Sequence, residues 1–181
     1  MKKMIPSVEL LKKWKTTGAI SFSSSFLVEK MIKCIDFNKA KIIVELGAGN
    51  GCITKGLLAK MRKDAILISI EINEEFCSLL NKTIEDTRLQ IICGDAIESL
   101  QSLGLEIDYI VSSIPFKVLS KKERTTLITA IKDASNKKTV FVQFSYFISM
   151  YSFLKDNFNK VKIGFTPLNI PPAFVFKCGL S

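Results

Sequence analysis

From about residue 40 onward the chain alternates short β-rich runs with helical stretches, and that alternation constrains the fold more than any other feature. The runs lie at Ile42–Leu46, Ile66–Ile70, Leu89–Cys93, Ile107–Val111, Thr139–Phe144, Val161–Phe165 and Ala173–Cys178. Helical patterns fall between the first five, near Ile53–Met61, Glu74–Ile84, Ile97–Leu103 and Lys121–Ala134, with another near Ile148–Phe158. Strand and helix in this order place parallel strands in one sheet with helices on both faces. The last two runs are separated by "TPLNIPPA", which suits a hairpin and is too short for a helical crossover. The expectation is a doubly wound α/β sheet of five parallel strands, closed by a hairpin with one antiparallel strand. At 181 residues and 48% hydrophobic, the chain fits one domain with a substantial core. No internal repeat or low-complexity linker divides it.

The first 40 residues differ. "PSVELLKKWKTTG" reads as a short helix opened by Pro6 and stopped by Gly18. A second helix is expected over Phe26–Ile35, after "ISFSSS", with caps offered by Ser23–Ser25. Residues 1–37 then form a helical cap on the single domain. The N-terminus lacks the apolar segment and cleavage site of a signal peptide, and no apolar run reaches the ~18 residues of a membrane span. A cytoplasmic location is expected.

Composition removes several chemistries. The chain has no histidine, which excludes Ser-His and Cys-His nucleophiles, imidazole acid–base catalysis and histidine metal sites. Its five cysteines, Cys34, Cys52, Cys77, Cys93 and Cys178, form no C-x-x-C pair. They are expected as reduced, mostly buried thiols, with neither a metal site nor a disulfide framework. The net charge of +9 suits an anionic partner, and RNA, an acidic membrane surface or a plain lysine-rich surface all satisfy it.

The first run leads into "VELGAGNG", where Gly47, Gly49 and Gly51 are separated by Ala48 and Asn50. A loop leaving the carboxyl end of the first strand lies where open α/β sheets bind ligands. A dinucleotide fingerprint would need glycine at position 52, which is Cys52, and a P-loop would need Gly-Lys-Ser/Thr, which "GCITK" lacks. The carboxylates that follow narrow the choice. Glu71 ends the second strand, where an acid can accept both hydroxyls of a ribose. Asp95 follows the third strand and can accept from an adenine amino group. Glu45 precedes the loop and can attract a cationic part of the ligand, directly or through water. Pyrophosphate is a poor neighbour for three carboxylates, whereas a sulfonium and an ammonium are good ones.

At these residues the chain resembles the class I S-adenosyl-L-methionine-dependent methyltransferases, over roughly residues 40 to 178. The resemblance implies a Rossmann-like seven-stranded sheet, mostly parallel with a reversed last strand, and no metal. It implies cofactor contacts from Ser23, Ser24, Glu45, Gly47, Ala48, Gly49, Asn50, Gly51, Glu71, Ile72, Asp95, Ala96 and Ser112.

The fourth strand runs into "YIVSSIPF", and amine methyltransferases commonly place a polar residue, an apolar residue, proline and an aromatic there. Carbonyls before a proline can accept amine hydrogens, since the proline fixes the turn without adding a donor. The rRNA adenine dimethyltransferases carry Asn-Leu/Ile-Pro-Tyr/Phe at this place, where this chain has Ser113-Ile114-Pro115-Phe116. The sequence ends at Ser181, leaving no room for their helical C-terminal domain. The bacterial phospholipid N-methyltransferases are more similar. Their motifs match Gly18-Ala19-Ile20, Ser23-Ser24, Gln143-Phe144-Ser145-Tyr146 and Asn169-Ile170-Pro171-Pro172-Ala173, and their fourth-strand Ser-Gly-Leu-Pro stands against Ser112-Ser113-Ile114-Pro115. This chain departs from them at Ser25, where their opening motif carries arginine, a fixed fork of donors for phosphate or carboxylate.

The resemblance implies stepwise methylation of phosphatidylethanolamine or a related lipid by direct in-line displacement, with positioning supplying most of the catalysis. The catalytic candidates are Tyr146, Ser113, Pro115 and Phe116, the two aromatics also serving a methylated cation through their ring faces. Tyr146 also reads as a core tyrosine with a satisfied hydroxyl. In the first 15 residues Lys2, Lys3, Lys12, Lys13 and Lys15 face one acid, Glu9. At about 1 kcal/mol per lysine near an anionic leaflet, this helix suits reversible docking on the inner face of the membrane. An ordinary amphipathic helix packed on the domain fits the same residues. An RNA adenine N6-methyltransferase, another amine or protein methyltransferase, and a non-catalytic cofactor-binding regulator are the competing functions.

Overall fold

The computed structural model describes residues 24–180. Their sheet has seven strands in the order β3-β2-β1-β4-β5-β7-β6. The strands are β1 Ile42–Leu46, β2 Ile66–Glu71, β3 Leu89–Cys93, β4 Ile107–Ser112, β5 Ser135–Ser145, β6 Lys160–Thr166 and β7 Ala173–Gly179. The helices are α1 Ser25–Ile32, α2 Cys52–Leu58, α3 Glu74–Thr83, α4 Ala96–Leu103, α5 Lys121–Asp133 and α6 Met150–Lys155, with a 3₁₀ turn at Phe116–Val118. Strands β1 to β5 pair in parallel, and β7 runs antiparallel between β5 and β6. The alternating sequence pattern therefore gives the expected doubly wound sheet with its last strand reversed.

The chain winds outward from β1 to β3, then crosses back through α4 to place β4 on the other side of β1. That reversal leaves a crevice at the carboxyl ends of β1 and β4, where the glycine loop and the Pro115 turn begin. The central strands are buried on both faces, as continuous apolar runs in a covered parallel sheet should be. One face packs Val44, Leu46 and Ile110 against Leu100 of α4 and Leu127, Ile128 and Ile131 of α5. The other packs Ile43, Val111 and Val142 against Leu27 and Met31 of α1 and Ile53 and Leu57 of α2.

Three expectations change. Strand β5 starts at Ser135 rather than Thr139, because Ser135 pairs with Ile107 ahead of a register shift that spans the polar residues up to Val140. Helix α6 is shorter than the Ile148–Phe158 pattern, since Ser145 Oγ accepts from Phe147 N at 3.1 Å and holds a turn that leaves Phe147 and Ile148 outside the helix. Cys77 and Cys93 form a disulfide instead of standing as free thiols. Parallel pairing sets Cys93 opposite Glu71, and α3 returns Cys77 over the same strand end, with Cα atoms 5.9 Å apart. No spacing motif announces such a pair. Cys34, Cys52 and Cys178 are free, and burial pushes the Cys178 thiol up to about 12.

The helix expected after Pro6, the five lysines of the first 15 residues, Gly18-Ala19-Ile20 and Ser23 lie outside the described residues. Among the described residues no helix is long and apolar enough to cross a membrane.

Candidate active site

The glycine loop turns through three left-handed residues, Gly47, Gly49 and Gly51, with φ of 77°, 57° and 82°. A Cβ on Gly49 would meet nothing within 4 Å, so its backbone borders open space a ligand can enter. A Cβ on Gly51 would lie 2.7 Å from Leu80 Cδ2 and 3.1 Å from Ile84 Cδ1. Gly51 therefore lets α3 close against the loop. Gly51→Ala should lower stability by about 1–2 kcal/mol more than Gly49→Ala, because it adds a packing clash to the shared left-handed strain. Urea denaturation of both variants measures the difference, and equal losses would remove the packing role. Asn50 Oδ1 accepts from Cys52 N at 3.3 Å, and the Ala48 carbonyl accepts from Gly51 N at 3.0 Å, so the loop is held by its own bonds.

Glu71 is 1% exposed at the end of β2. Its Oε2 accepts from Gly49 N at 2.7 Å and its Oε1 accepts from Asn73 N at 2.9 Å. The carboxylate is thus fixed beneath the loop, each of its oxygens accepting from a backbone N–H. Ile72, half-buried, continues the same edge. Asp95 caps α4, its Oδ1 accepting from Ile97 N at 2.8 Å and Glu98 N at 3.2 Å, and Ala96 opens the helix. The cap uses one oxygen of Asp95 and leaves Oδ2 for an exocyclic amine.

Glu45 lies at the end of β1, just before the loop. It is 0% exposed, and its Oε2 accepts from Thr54 Oγ1 at 2.7 Å and Ser69 Oγ at 2.6 Å. Those bonds tie β1 to α2 and β2 from inside the fold. Both bonds use Oε2, so this oxygen supports the strand that leads into the loop.

On the other side of the crevice, Ser113 N donates to Leu46 O at 2.8 Å, joining the Pro115 turn to the start of the glycine loop. Ser112 is buried, and its Oγ accepts from Ile114 N at 3.3 Å. Ser113 Oγ is buried and makes no hydrogen bond among the described residues. Pro115, half-buried, leads into the 3₁₀ turn. Phe116, expected at the acceptor, is instead 3% exposed and packs in the core against Phe141 and Phe153, at centroid distances of 6.5 and 6.3 Å. The 3₁₀ turn after Pro115 carries its ring inward.

The carbonyl before the proline, that of Ile114, accepts from Gln143 Nε2 at 3.1 Å. Gln143 is buried at the end of β5 and fixes the turn from the neighbouring strand. Three residues on, Tyr146 meets Phe144 edge-on at 5.6 Å between centroids. Burial pushes the Tyr146 phenol above its ordinary value, and a hydrogen bond with Asn169 pulls it partly back. The hydroxyl accordingly stays protonated at neutral pH.

Asn169 is 1% exposed in the hairpin between β6 and β7. Its Oδ1 accepts from Ser24 N at 3.3 Å and Ser24 Oγ at 2.7 Å, while its Nδ2 donates to Pro171 O at 2.6 Å. Ser24 also caps α1 through Leu27 N. The Ser24 hydroxyl is thereby committed to the cap and the hairpin. Gln143 and Asn169 stood in the sequence only as parts of shared motifs. Their roles depend on partners 29 and 145 residues away, which no local pattern discloses.

Glu71 beneath the loop, open space at Gly49, and Asp95 with one oxygen to spare fit an adenosine whose cationic tail crosses the loop. Among the described residues no three potential His, Cys, Asp or Glu ligands gather to hold a metal.

The chain matches a family described as "Methyltransferase domain" over residues 43–138. It is 28% identical over 167 residues to the ornithine lipid N-methyltransferase of Singulisphaera acidiphila, covering 89% of this chain and 87% of that one. It is 30% identical over 116 residues to ribosomal RNA small subunit methyltransferase A of Mycoplasma capricolum, covering 61% of this chain and only 42% of that relative. Among solved structures, precorrin-6Y C5,15-methyltransferase from Geobacter metallireducens gives a TM-score of 0.72 at 12% identity, over 88% of this chain and 90% of that one. Human methyltransferase-like protein 13, solved in complex with SAH, gives 0.68 at 11% identity, over 85% and 82%. At such identities the likeness speaks for the fold. Added to a switch-point crevice with a glycine loop on one side and a buried carboxylate beneath it, the match over the central strands places the chain in the methyltransferase domain family, as a class I enzyme dependent on S-adenosylmethionine.

Proposed function

We propose that this enzyme methylates the amine of a membrane lipid, phosphatidylethanolamine or a related aminolipid, at an anionic membrane surface. One observation carries the reading: the acceptor side of the crevice is polar yet uncharged, built from the Tyr146 phenol, the Gln143 amide, the Ser113 hydroxyl and the Ile114 carbonyl. The similarity to an ornithine lipid N-methyltransferase, spanning most of both chains, supports the same class of acceptor.

When bound, S-adenosylmethionine supplies an electrophilic methyl group on a sulfonium. Glu71 takes the ribose hydroxyls, Asp95 Oδ2 takes the adenine amino group, and Gly49 gives the tail room. An ammonium cannot attack, and partial burial beside Tyr146 disfavours the charged amine. The Tyr146 oxygen and the second lone pair of the Ile114 carbonyl accept the remaining N–H groups and orient the nitrogen lone pair. Without histidine in the chain, and without Asp or Glu in residues 113–122 or 143–155, the amine proton leaves to water before the nitrogen is enclosed. The ring face of Tyr146 then holds the nitrogen once methylation makes it permanently cationic.

The experiment is transfer from methyl-labelled cofactor to vesicles of phosphatidylethanolamine and phosphatidylglycerol, with small-subunit ribosomal RNA as a parallel acceptor. Label in the lipid extract is the expected result. Label in RNA alone would move the enzyme to adenine methylation, the activity of the shorter-matching relatives. Calorimetric cofactor binding with neither acceptor labelled would direct the search to another amine.

A further inference from the structure

The four most exposed large apolar side chains among the described residues are Ile170, Leu168, Ile148 and Phe147, from 81% down to 52% exposed. They come from two segments far apart in sequence, the loop after β5 and the β6–β7 hairpin. The fold brings the two together at the carboxyl end of the sheet. Tyr146, directly before Phe147, meets Asn169, which lies between Leu168 and Ile170. Exposed Phe26 lies two residues beyond Ser24, whose hydroxyl donates to Asn169. Lys117, from the turn after Pro115, sets its ammonium 5.2 Å from the centre of the Phe147 ring. Exposed apolar side chains from both segments thus form a rim at the end of the sheet that holds the acceptor side of the crevice. Soluble proteins seldom gather exposed apolar side chains this way without a partner.

Charge identifies that partner. Residues 113–122, 145–155 and 167–173 contain Lys117, Lys121, Lys122 and Lys155 and no aspartate or glutamate. Apolar tips with the Lys117 ammonium beside them, on segments that carry lysine and no acid, match an anionic lipid interface, where the tips enter the acyl boundary and the lysines stay at the phosphate layer. An RNA surface would call for flat stacking platforms and guanidinium planes. Here three of the four tips are aliphatic and the flanking cations are lysines.

We infer that the rim formed by the loop after β5 and the β6–β7 hairpin is a bilayer-docking surface, seating the acceptor side of the crevice on an anionic leaflet. The inference rests on the lipid-acceptor reading above, deepens it, and involves a surface separate from the N-terminal lysines.

The test uses the full chain and vesicles of phosphatidylglycerol and phosphatidylcholine, which offer no amine to methylate. The double variant Ile148→Gln/Leu168→Gln should partition onto these vesicles at least tenfold more weakly than the native protein, with cofactor affinity unchanged. Equal partitioning of the two proteins, or no partitioning of either, overturns the inference. A second variant, Leu168→Trp in a Trp14→Phe background, reports the surface directly. Its emission should shift to the blue on vesicle addition and be quenched by brominated acyl chains. Emission already blue-shifted and unmoved by vesicles would mean that another part of the chain or a second copy covers the rim, which overturns the inference. So would binding to ribosomal RNA, without vesicle binding, that the double variant abolishes. Docking that depends on Ile148 and Leu168, together with no methylation of vesicular or monomeric short-chain phosphatidylethanolamine, upholds the docking surface and sinks the lipid-acceptor reading alone.

Discussion

Glu71→Gln should weaken S-adenosylmethionine binding by about 100-fold, or roughly 2 to 3 kcal/mol, measured by calorimetry on folded protein. The native carboxylate serves two backbone donors at once, Gly49 N through Oε2 and Asn73 N through Oε1. Glutamine keeps the shape but offers a single acceptor oxygen, so its NH₂ group must face one of those N–H groups. The collision loosens the loop where it borders the open space at Gly49. Loss of the negative charge also removes the stronger, charge-assisted bonds to ribose hydroxyls. Glu71→Asp separates the two causes. It keeps the charge and both oxygens while drawing them back by one methylene, so an intermediate loss is expected. Unchanged affinity in Glu71→Gln would show that the carboxylate only supports the loop and takes no part in holding the nucleoside.

Tyr146→Phe should lower kcat on the lipid amine by about 100-fold, equivalent to about 2.7 kcal/mol in the barrier, while cofactor affinity stays the same. The substitution removes one oxygen and keeps the ring against Phe144. Asn169 retains its bonds to Ser24 and Pro171, so the hairpin stays closed and a collapsed fold does not confuse the result. The phenol is held un-ionised by burial, which makes it an orienting group for the amine rather than a base. A pH–rate profile of residual activity should therefore keep the native shape, merely displaced downward. Full activity in Tyr146→Phe would return this residue to the other role its sequence allowed, a core tyrosine whose hydroxyl is satisfied by Asn169.

The two substitutions probe opposite sides of one crevice, and the sides were unequally legible. Glu71 could be read because a carboxylate at a strand end next to a glycine loop is a local pattern. The use of both its oxygens by Gly49 and Asn73 could not be read. Asp95 was placed correctly after β3, yet its capping of α4 emerges only once the helix starts at Ala96. Phe116 followed a proline as acceptor aromatics do in similar enzymes, and the 3₁₀ turn sent it to the core.

The strand–helix alternation, the reversed last strand and the glycine loop at the end of β1 follow from the order of residues alone. Each is written in periodicity, spacing or a special backbone conformation that neighbouring residues settle among themselves. Only the tertiary structure decided that Glu45 turns inward to Thr54 and Ser69, that Gln143 holds the Ile114 carbonyl, that Asn169 joins Ser24, and that Cys77 meets Cys93. A buried polar atom must be satisfied by whatever strand register brings within about 3 Å. Register is fixed by pairing between segments far apart in the chain, so the partner's identity is absent from any window of sequence.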